Sequence, residues 1–273
     1  NIAHLLDGGV TDDGRPYFAM EYVDGTPLDV YCNKNTLDVE ARLQLFRQVC
    51  EAVQFAHRNL IVHRDLKPAN ILVMDAGEDT GTTTGTSTGT GTSTGAGPQV
   101  KLLDFGIAKA LEGAEAIDSH TRTGEGSPMT PAYATPEQVQ GQAITTATDV
   151  YALGLVLCEL LTGALPYDVR WQSAMETAQT IAEATPKRLP ALVDERLPTD
   201  VQAAFGCSAA ALRKRLQGDL EMIVQKALRK EPERRYTSAA DMAQDIYRHL
   251  HGLPVEARPA STSYRLRRFV GRN

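Results

Sequence analysis

The sequence predicts an α+β fold, and three observations carry that expectation. Short apolar runs separated by Asp–Gly turns open the chain. Longer apolar patterns at helical spacing fill most of the remainder. One central tract of Gly, Thr and Ser divides two short strand-like runs. With 273 residues, 42% apolar and 23% charged, the chain can bury a sizeable core as one large domain or two small ones.

Taken in order, Ile2–Leu6 and Tyr17–Val23 are apolar runs separated by Asp7-Gly8-Gly9 and Asp12-Asp13-Gly14, a strand–turn–strand pattern. Leu43, Phe46, Val49, Cys50, Val53 and Ala56 then step by threes and fours, which predicts a helix capped by Asp38 or Thr36. Strands are expected at Ile71–Met74 and Val100–Leu103. Between them, every residue from Thr80 to Gly97 except Ala96 is Gly, Thr or Ser, so an insertion at 79–98 is expected to be a loop with nothing to bury. Its glycine spacing does not match a phosphate-cradling G-x-G-x-x-G. Thr148–Thr162 is apolar on nearly all sides and predicts a buried helix closed by Gly163. Asp219–Lys230 and Ser238–His251 are amphipathic and separated by Pro232.

Composition excludes several classes. Formal charge is −6, which leaves no global basic field for phosphate backbones, so no nucleic-acid partner is expected. Cys32, Cys50, Cys158 and Cys207 form no CxxC pair, which argues against a zinc site or a disulfide scaffold and fits a reducing, cytoplasmic compartment. The longest apolar run, Tyr151–Leu161, contains Gly154 and Glu159 and is too short to span a bilayer. The tail from Val255 carries Arg258, Arg265, Arg267, Arg268 and Arg272 against one acid, Glu256. It is either a solvated tail or a juxtamembrane anchor for anionic lipid. The first residues, Asn1 to Leu6, have neither a starting Met nor a signal-like pattern, and the chain reads as beginning inside a larger protein.

The chemistry concentrates in His63-Arg64-Asp65-Leu66-Lys67-Pro68-Ala69-Asn70, followed by Ile71-Leu72-Val73 and, downstream, Asp104-Phe105-Gly106. Together these resemble the catalytic loop and metal-binding triplet of the protein-kinase family. The resemblance extends over roughly residues 1–255 and is closest to bacterial Ser/Thr kinases of eukaryotic type, the group often followed by a membrane span and tetratricopeptide repeats. It implies a protein-kinase-like fold, mostly the helical large lobe with the last two strands of the small-lobe sheet. The implied division is residues 1–23 for the small-lobe remnant and hinge, 24–255 for the large lobe, and 256–273 for the basic tail.

The resemblance also implies roles. Asp65 would orient the substrate hydroxyl and accept its proton, while Lys67 would stabilise the transferring phosphoryl oxygens. Asn70 and Asp104 would offer oxygen ligands to Mg²⁺, the cation expected beside ATP. Met20 would be the gatekeeper, and Glu21-Tyr22-Val23 the hinge whose backbone meets adenine, with Leu72 beneath the ring. Leu5, His63 and Phe105 would belong to a stacked spine. Asp149 would hold the catalytic-loop backbone, or serve as a dipole partner at its helix N-terminus.

In the activation segment, Thr130-Pro131-Ala132-Tyr133-Ala134-Thr135-Pro136-Glu137 resembles the substrate-facing loop, with Thr130 bonding to Asp65 and Lys67. Two departures stand out: Thr135 replaces the usual Ala before Pro-Glu, and Met129 a customary Gly. Glu137 can still pair with Arg235. Arg64 beside the catalytic Asp suggests control by phosphorylation, with Thr121 and Thr123 the best acceptors and Ser127 behind them.

A working kinase also needs a Gly-rich phosphate loop, a strand Lys and a helix Glu. The only lysine before His63 is Lys34, which follows the hinge, and no Gly-rich phosphate loop precedes it. The expectation is therefore a kinase fragment that is inactive or nearly so by itself. A kinase-shaped scaffold is the alternative, and a small-molecule phosphotransferase of kinase-like fold ranks third. The expected partners are ATP and a protein bearing a Ser or Thr hydroxyl.

Overall fold

The computed structural model describes residues 1–11, 13, 16–75, 97–103, 131–169, 172–193 and 203–258. It is an α+β arrangement in which a β-hairpin and a three-stranded sheet stand on a helical body. The hairpin pairs β1 (Leu5–Val10) with β2 (Pro16–Met20).

Here the strand boundaries differ from those expected. Asp7-Gly8-Gly9 lies within β1 rather than in a turn, and β2 stops at Met20 instead of running to Val23. The cause is local at Gly9. It faces Tyr17 across the ladder, and a Cβ there would come within 3.0 Å of the Tyr17 ring, so the glycine admits the aromatic rather than breaking the strand.

The hairpin joins the body through the chain start. Ile2 bridges Leu102, and the amides of Ala3 and Leu102 donate to the carbonyls of Leu102 and Asn1, both at 2.9 Å. Ala3, Val23 and Leu72 form a small buried cluster at this junction, joined by Met74 and Leu103. The hairpin's outer face is bare: Leu6 is 70% and Val10 67% exposed.

The three-stranded antiparallel sheet runs β3 (Thr26–Pro27), β4 (Ile71–Met74) and β5 (Gln99–Leu102). β4 and β5 pair from Ile71↔Leu102 to Met74↔Gln99, so the Gly/Thr-rich tract leaves from one end of a regular hairpin. That end is held at both sides. Tyr31 donates its hydroxyl to Asp75 (2.7 Å), and the Gln48 amide donates to the Pro98 carbonyl and accepts from the Val100 amide.

Among the described residues the helices are α1 (Leu28–Lys34), α2 (Val39–Arg58), α3 (Pro136–Val139), α4 (Thr146–Thr162), α5 (Ala174–Glu183), α6 (Leu189–Leu192), α7 (Ala209–Leu216), α8 (Asp219–Ala227) and α9 (Ala239–Leu250). Asp38 caps α2, its side chain accepting from the Ala41 amide. α4 is the centre of the body: fourteen of its residues are buried, Glu159 being an exception, and it ends at Gly163 with φ 72°. α2 and α8 pack against it, and α9 packs on α2 and α8.

One buried charge anchors this body. Arg42 on α2 is fully enclosed, stacks on Phe205, and spends its guanidinium on the carbonyls of Leu37, Leu160, Cys32 and Ala204 and on Asn33. Carbonyl dipoles from four segments thus replace a carboxylate counterion.

Candidate active site

The loop between α2 and β4 holds the charged residues, and α4 dictates its shape. Asp149, in the first turn of α4, is buried and accepts three hydrogen bonds. Its Oδ2 takes the His63 amide and His57 Nε2, each at 2.8 Å, and its Oδ1 takes the Arg64 amide at 3.0 Å. Such charge-assisted bonds are the strong ones.

Arg64 adopts φ 70°, a left-handed conformation costing a side-chain-bearing residue about 1–2 kcal/mol. Its carbonyl accepts from Gln138 Nε2 at 2.7 Å. His63 is buried, with Nε2 donating to the Leu103 carbonyl (2.9 Å) and Nδ1 accepting from the Asp65 amide (3.4 Å). Those two bonds need one neutral tautomer, and burial holds the imidazole below its ordinary pKa against the upward pull of Asp149.

This turn brings Asp65, Lys67 and Asn70 together. Asp65 Oδ2 lies 3.0 Å from Lys67 Nζ and 3.2 Å from Asn70 Nδ2, which also donates to the Asp65 carbonyl at 2.8 Å. The Asn70 carbonyl accepts from the Leu103 amide at 2.9 Å, tying the loop to the strand that leads to Asp104. Asp104, Phe105, Thr121, Thr123 and Thr130 lie outside the described residues, as does the side chain of Leu5.

Of the two expected cation ligands only Asn70 is among the described residues; its Nδ2 is spent on Asp65, and its Oδ1 is a neutral oxygen of the kind a hard cation accepts. A carboxylate next to an ammonium can accept a proton while the ammonium steadies phosphoryl oxygens.

At the hinge, Met20 ends β2 partly exposed. Glu21 donates its amide to the His4 carbonyl (2.9 Å), accepts the His4 amide on its carboxylate (3.1 Å), and pairs with Lys101. The hydrogen bond from Lys101 lowers its pKa. Val23 and Leu72 share the small buried cluster with Ala3.

Glu137 and Arg235 form a buried ion pair at 2.5 Å. Arg235 also donates to the carbonyls of Arg229, Ala147 and Lys230 at 2.7–2.8 Å and packs over the Tyr151 ring.

Three residues of this neighbourhood escaped the sequence reading: His57, Lys101 and Gln138. Gln138 had a signal. Thr135-Pro136-Glu137-Gln138 is a capping-box pattern, and both its hydrogen bonds are present. His57 and Lys101 acquire partners only through contacts distant in sequence.

The loop that gathers Asp65, Lys67 and Asn70 thus lies between a central buried helix and a small antiparallel sheet. The chain belongs to the protein kinase family: the family description "protein kinase domain" matches residues 1–250. Within it, the chain falls among the bacterial Ser/Thr protein kinases of eukaryotic type. It is 34% identical over 243 residues to "Serine/threonine-protein kinase PknB" of Mycobacterium tuberculosis (89% of this chain, 32% of the relative). Identity to "Serine/threonine-protein kinase PrkC" of Bacillus subtilis is 35% over 248 residues (90% and 31%), and to Pkn1 of Myxococcus xanthus 35% over 240 residues (88% and 28%). The chain thus spans about a third of the length of the curated relatives it matches.

The crystal structure of the M. tuberculosis PknI kinase domain double mutant C20A_R136A superposes with a TM-score of 0.58 at 22% identity, covering 91% of this chain and 72% of that one. At that identity the likeness shows the kinase fold alone.

Proposed function

We propose that this chain carries the phosphoryl-transfer loop and hinge of an ATP-dependent Ser/Thr protein kinase. The observation that carries the reading is the convergence of Lys67 Nζ and Asn70 Nδ2 on Asp65 Oδ2 within 3.2 Å, on a loop held from beneath by Asp149. Asp65 takes the proton of a substrate Ser or Thr hydroxyl as its oxygen bonds to the γ-phosphorus and the bond to the ADP oxygen breaks. Lys67 steadies the transferring oxygens. Asn70 and Asp104 would hold Mg²⁺, which when bound neutralises phosphate charge. The backbone of Glu21 to Val23 and the side chains of Met20 and Leu72 would receive adenine. Thr130 would complete the substrate side, and Phe105 would stack with Leu5 and His63.

Arg64 supports control by phosphorylation. No carboxylate pairs with its guanidinium among the described residues, and a phosphate on Thr121 or Thr123 would supply the missing anion. The same reading divides the chain at residues 1–23, 24–255 and 256–273. It places the domain in the cytoplasm, with the four free cysteines in support and the Arg-rich tail near an anionic membrane surface. No helix among the described residues is long and apolar enough to cross a membrane.

Lys34, the first lysine of these 273 residues, follows the Glu21–Val23 segment, so these residues alone supply no lysine to the α/β-phosphates. These 273 residues by themselves should therefore transfer phosphate at a rate reduced by at least about 10²–10³. Isothermal titration of the chain with ATP tests the nucleotide site. Binding that requires Mg²⁺ and is lost in Asp104→Asn supports it, and metal-independent binding unaffected by that change contradicts it. Brisk phosphorylation of a generic Ser/Thr substrate by the purified chain would overturn the inactivity.

A further inference from the structure

Gln138 lies 74 residues from the catalytic loop in sequence, yet its amide is divided between that loop and its own helix start. Its Oε1 accepts from the Thr135 amide at 3.0 Å and lies 3.2 Å from the Thr135 hydroxyl, while its own amide donates to Thr135 Oγ1 at 3.4 Å. The capping box therefore fixes which way the side-chain amide faces. Its Nε2 is left to point at the Arg64 carbonyl, 2.7 Å away.

Arg64 needs such support. Three non-glycine residues have positive φ among the described residues: Thr36, Leu60 and Arg64. Thr36 and Leu60 follow the ends of α1 and α2, where a left-handed residue is a routine exit from a helix. Arg64 has no such excuse and sits directly before Asp65.

Both peptide planes around the Arg64 Cα are gripped from outside. Asp149 Oδ1 holds the His63–Arg64 amide from α4, and Gln138 Nε2 holds the Arg64–Asp65 carbonyl from α3. The N–H of that second peptide, on Asp65, donates to His63 Nδ1. With both its oxygen and its hydrogen bonded, the peptide is held against rotation and sets the Asp65 Cα, from which the carboxylate reaches Lys67 and Asn70.

We infer that Gln138 is a positioning residue that, from the end of the substrate-facing segment, sets the Arg64–Asp65 peptide plane and with it the carboxylate of Asp65. A Glu at this position could still cap α3 through Thr135. It could not donate to the Arg64 carbonyl, and its charge would repel that oxygen. The inference rests on the reading of Asp65 as proton acceptor.

The test compares wild type, Q138E, Q138A and D65N in the complete natural protein, by steady-state kinetics and thermal melting. Q138E should melt with wild-type protein, keep the KM for MgATP, and lose about 10–100-fold in kcat, the scale of a misplaced catalytic group. Hydrogen exchange at residues 63–66, read by mass spectrometry, should quicken in both Gln138 variants while exchange in α2 stays unchanged. That readout needs no activity and also serves if one variant folds poorly.

Wild-type kcat and unchanged exchange in Q138E would overturn the inference while leaving the role of Asp65 intact. So would losses of rate that merely track melting temperature in both variants, because Gln138 would then only prop α3. If D65N transfers phosphate as fast as wild type, the reading of the site falls and the inference falls with it.

Discussion

Arg235 and Glu137, 98 residues apart in the chain, form an ion pair that is buried on both sides and drawn to 2.5 Å. Arg235 bonds three carbonyls besides, whereas Glu137 Oε2 is buried without a hydrogen-bond partner. Removing one partner strands the other in a low dielectric. Arg235→Met should therefore cost about 3–5 kcal/mol of unfolding free energy, measured by urea denaturation. Adding Glu137→Met should recover only part of that loss, since the carbonyls of Arg229, Ala147 and Lys230 remain without their donor.

Asp149 receives more hydrogen bonds than an amide could. In Asp149→Asn one oxygen must serve where two now accept the amides of His63 and Arg64 and the ring of His57. At least one charge-assisted bond is lost, so the urea midpoint should fall by the equivalent of about 1.5–3 kcal/mol. Hydrogen exchange at His63 and Arg64 should quicken with it. An unchanged midpoint would mean that neither these bonds nor the charge at the start of α4 adds to stability.

The Gly/Thr-rich tract should be removable. Its neighbours Asp75, Pro98 and Val100 are fixed by Tyr31 and Gln48, so β4 and β5 keep their register without it. Replacing residues 76–96 by a turn of a few residues should leave stability unchanged or raise it by up to about 1.5 kcal/mol through loop-closure entropy. Chemical denaturation of the shortened protein reads this directly, and a marked loss would show that the tract packs on the body.

Stability should have a particular pH dependence on the alkaline side. Burial, with Arg235 adding repulsion, pushes the Lys230 ammonium down from 10.5 to about 8. Between those values the unfolded chain holds a proton that the folded one has released, so this one group adds stability as pH rises from about 8. From about pH 9 burial opposes this, keeping the thiols of Cys32, Cys50 and Cys158 protonated in the folded chain while the unfolded chain ionises them. Above about 10 the tyrosines add to that opposition. Tyr31 and Tyr167, both pushed up to about 12 by burial, then stay protonated in the folded chain while the unfolded chain has lost those protons. Between about pH 8 and pH 10 the slope of the urea midpoint against pH should therefore be more positive in wild type than in Lys230→Met. Equal slopes would show that Lys230 is not the titrating group.

Legibility in the sequence followed the range of the interactions. β4, the Asp38 cap, the buried helix closed by Gly163 and the amphipathic run that forms α9 were all readable, because period and capping chemistry are local. The loop from His63 to Asn70 was readable for another reason, since those residues in that order resemble the catalytic loop of the protein-kinase family. α1, α5, α6 and α7 were not singled out: they are short, and neighbours decide which faces they bury. Gly9 was misread as a turn because its reason, the Tyr17 ring, lies on the opposite strand. Arg42 shows the limit most plainly. Nothing around it in sequence announces a buried cation, and its carbonyl acceptors include Leu160 and Ala204.

The central claim is that Asp65 is the proton acceptor of a phosphoryl transfer from ATP. The direct measurement is transfer of labelled γ-phosphate to protein Ser or Thr by the complete natural protein, with the D65N variant alongside. The account predicts Mg²⁺-dependent label on Ser or Thr that falls by at least about 10²–10⁴ in D65N. Equal labelling by the two proteins would contradict it.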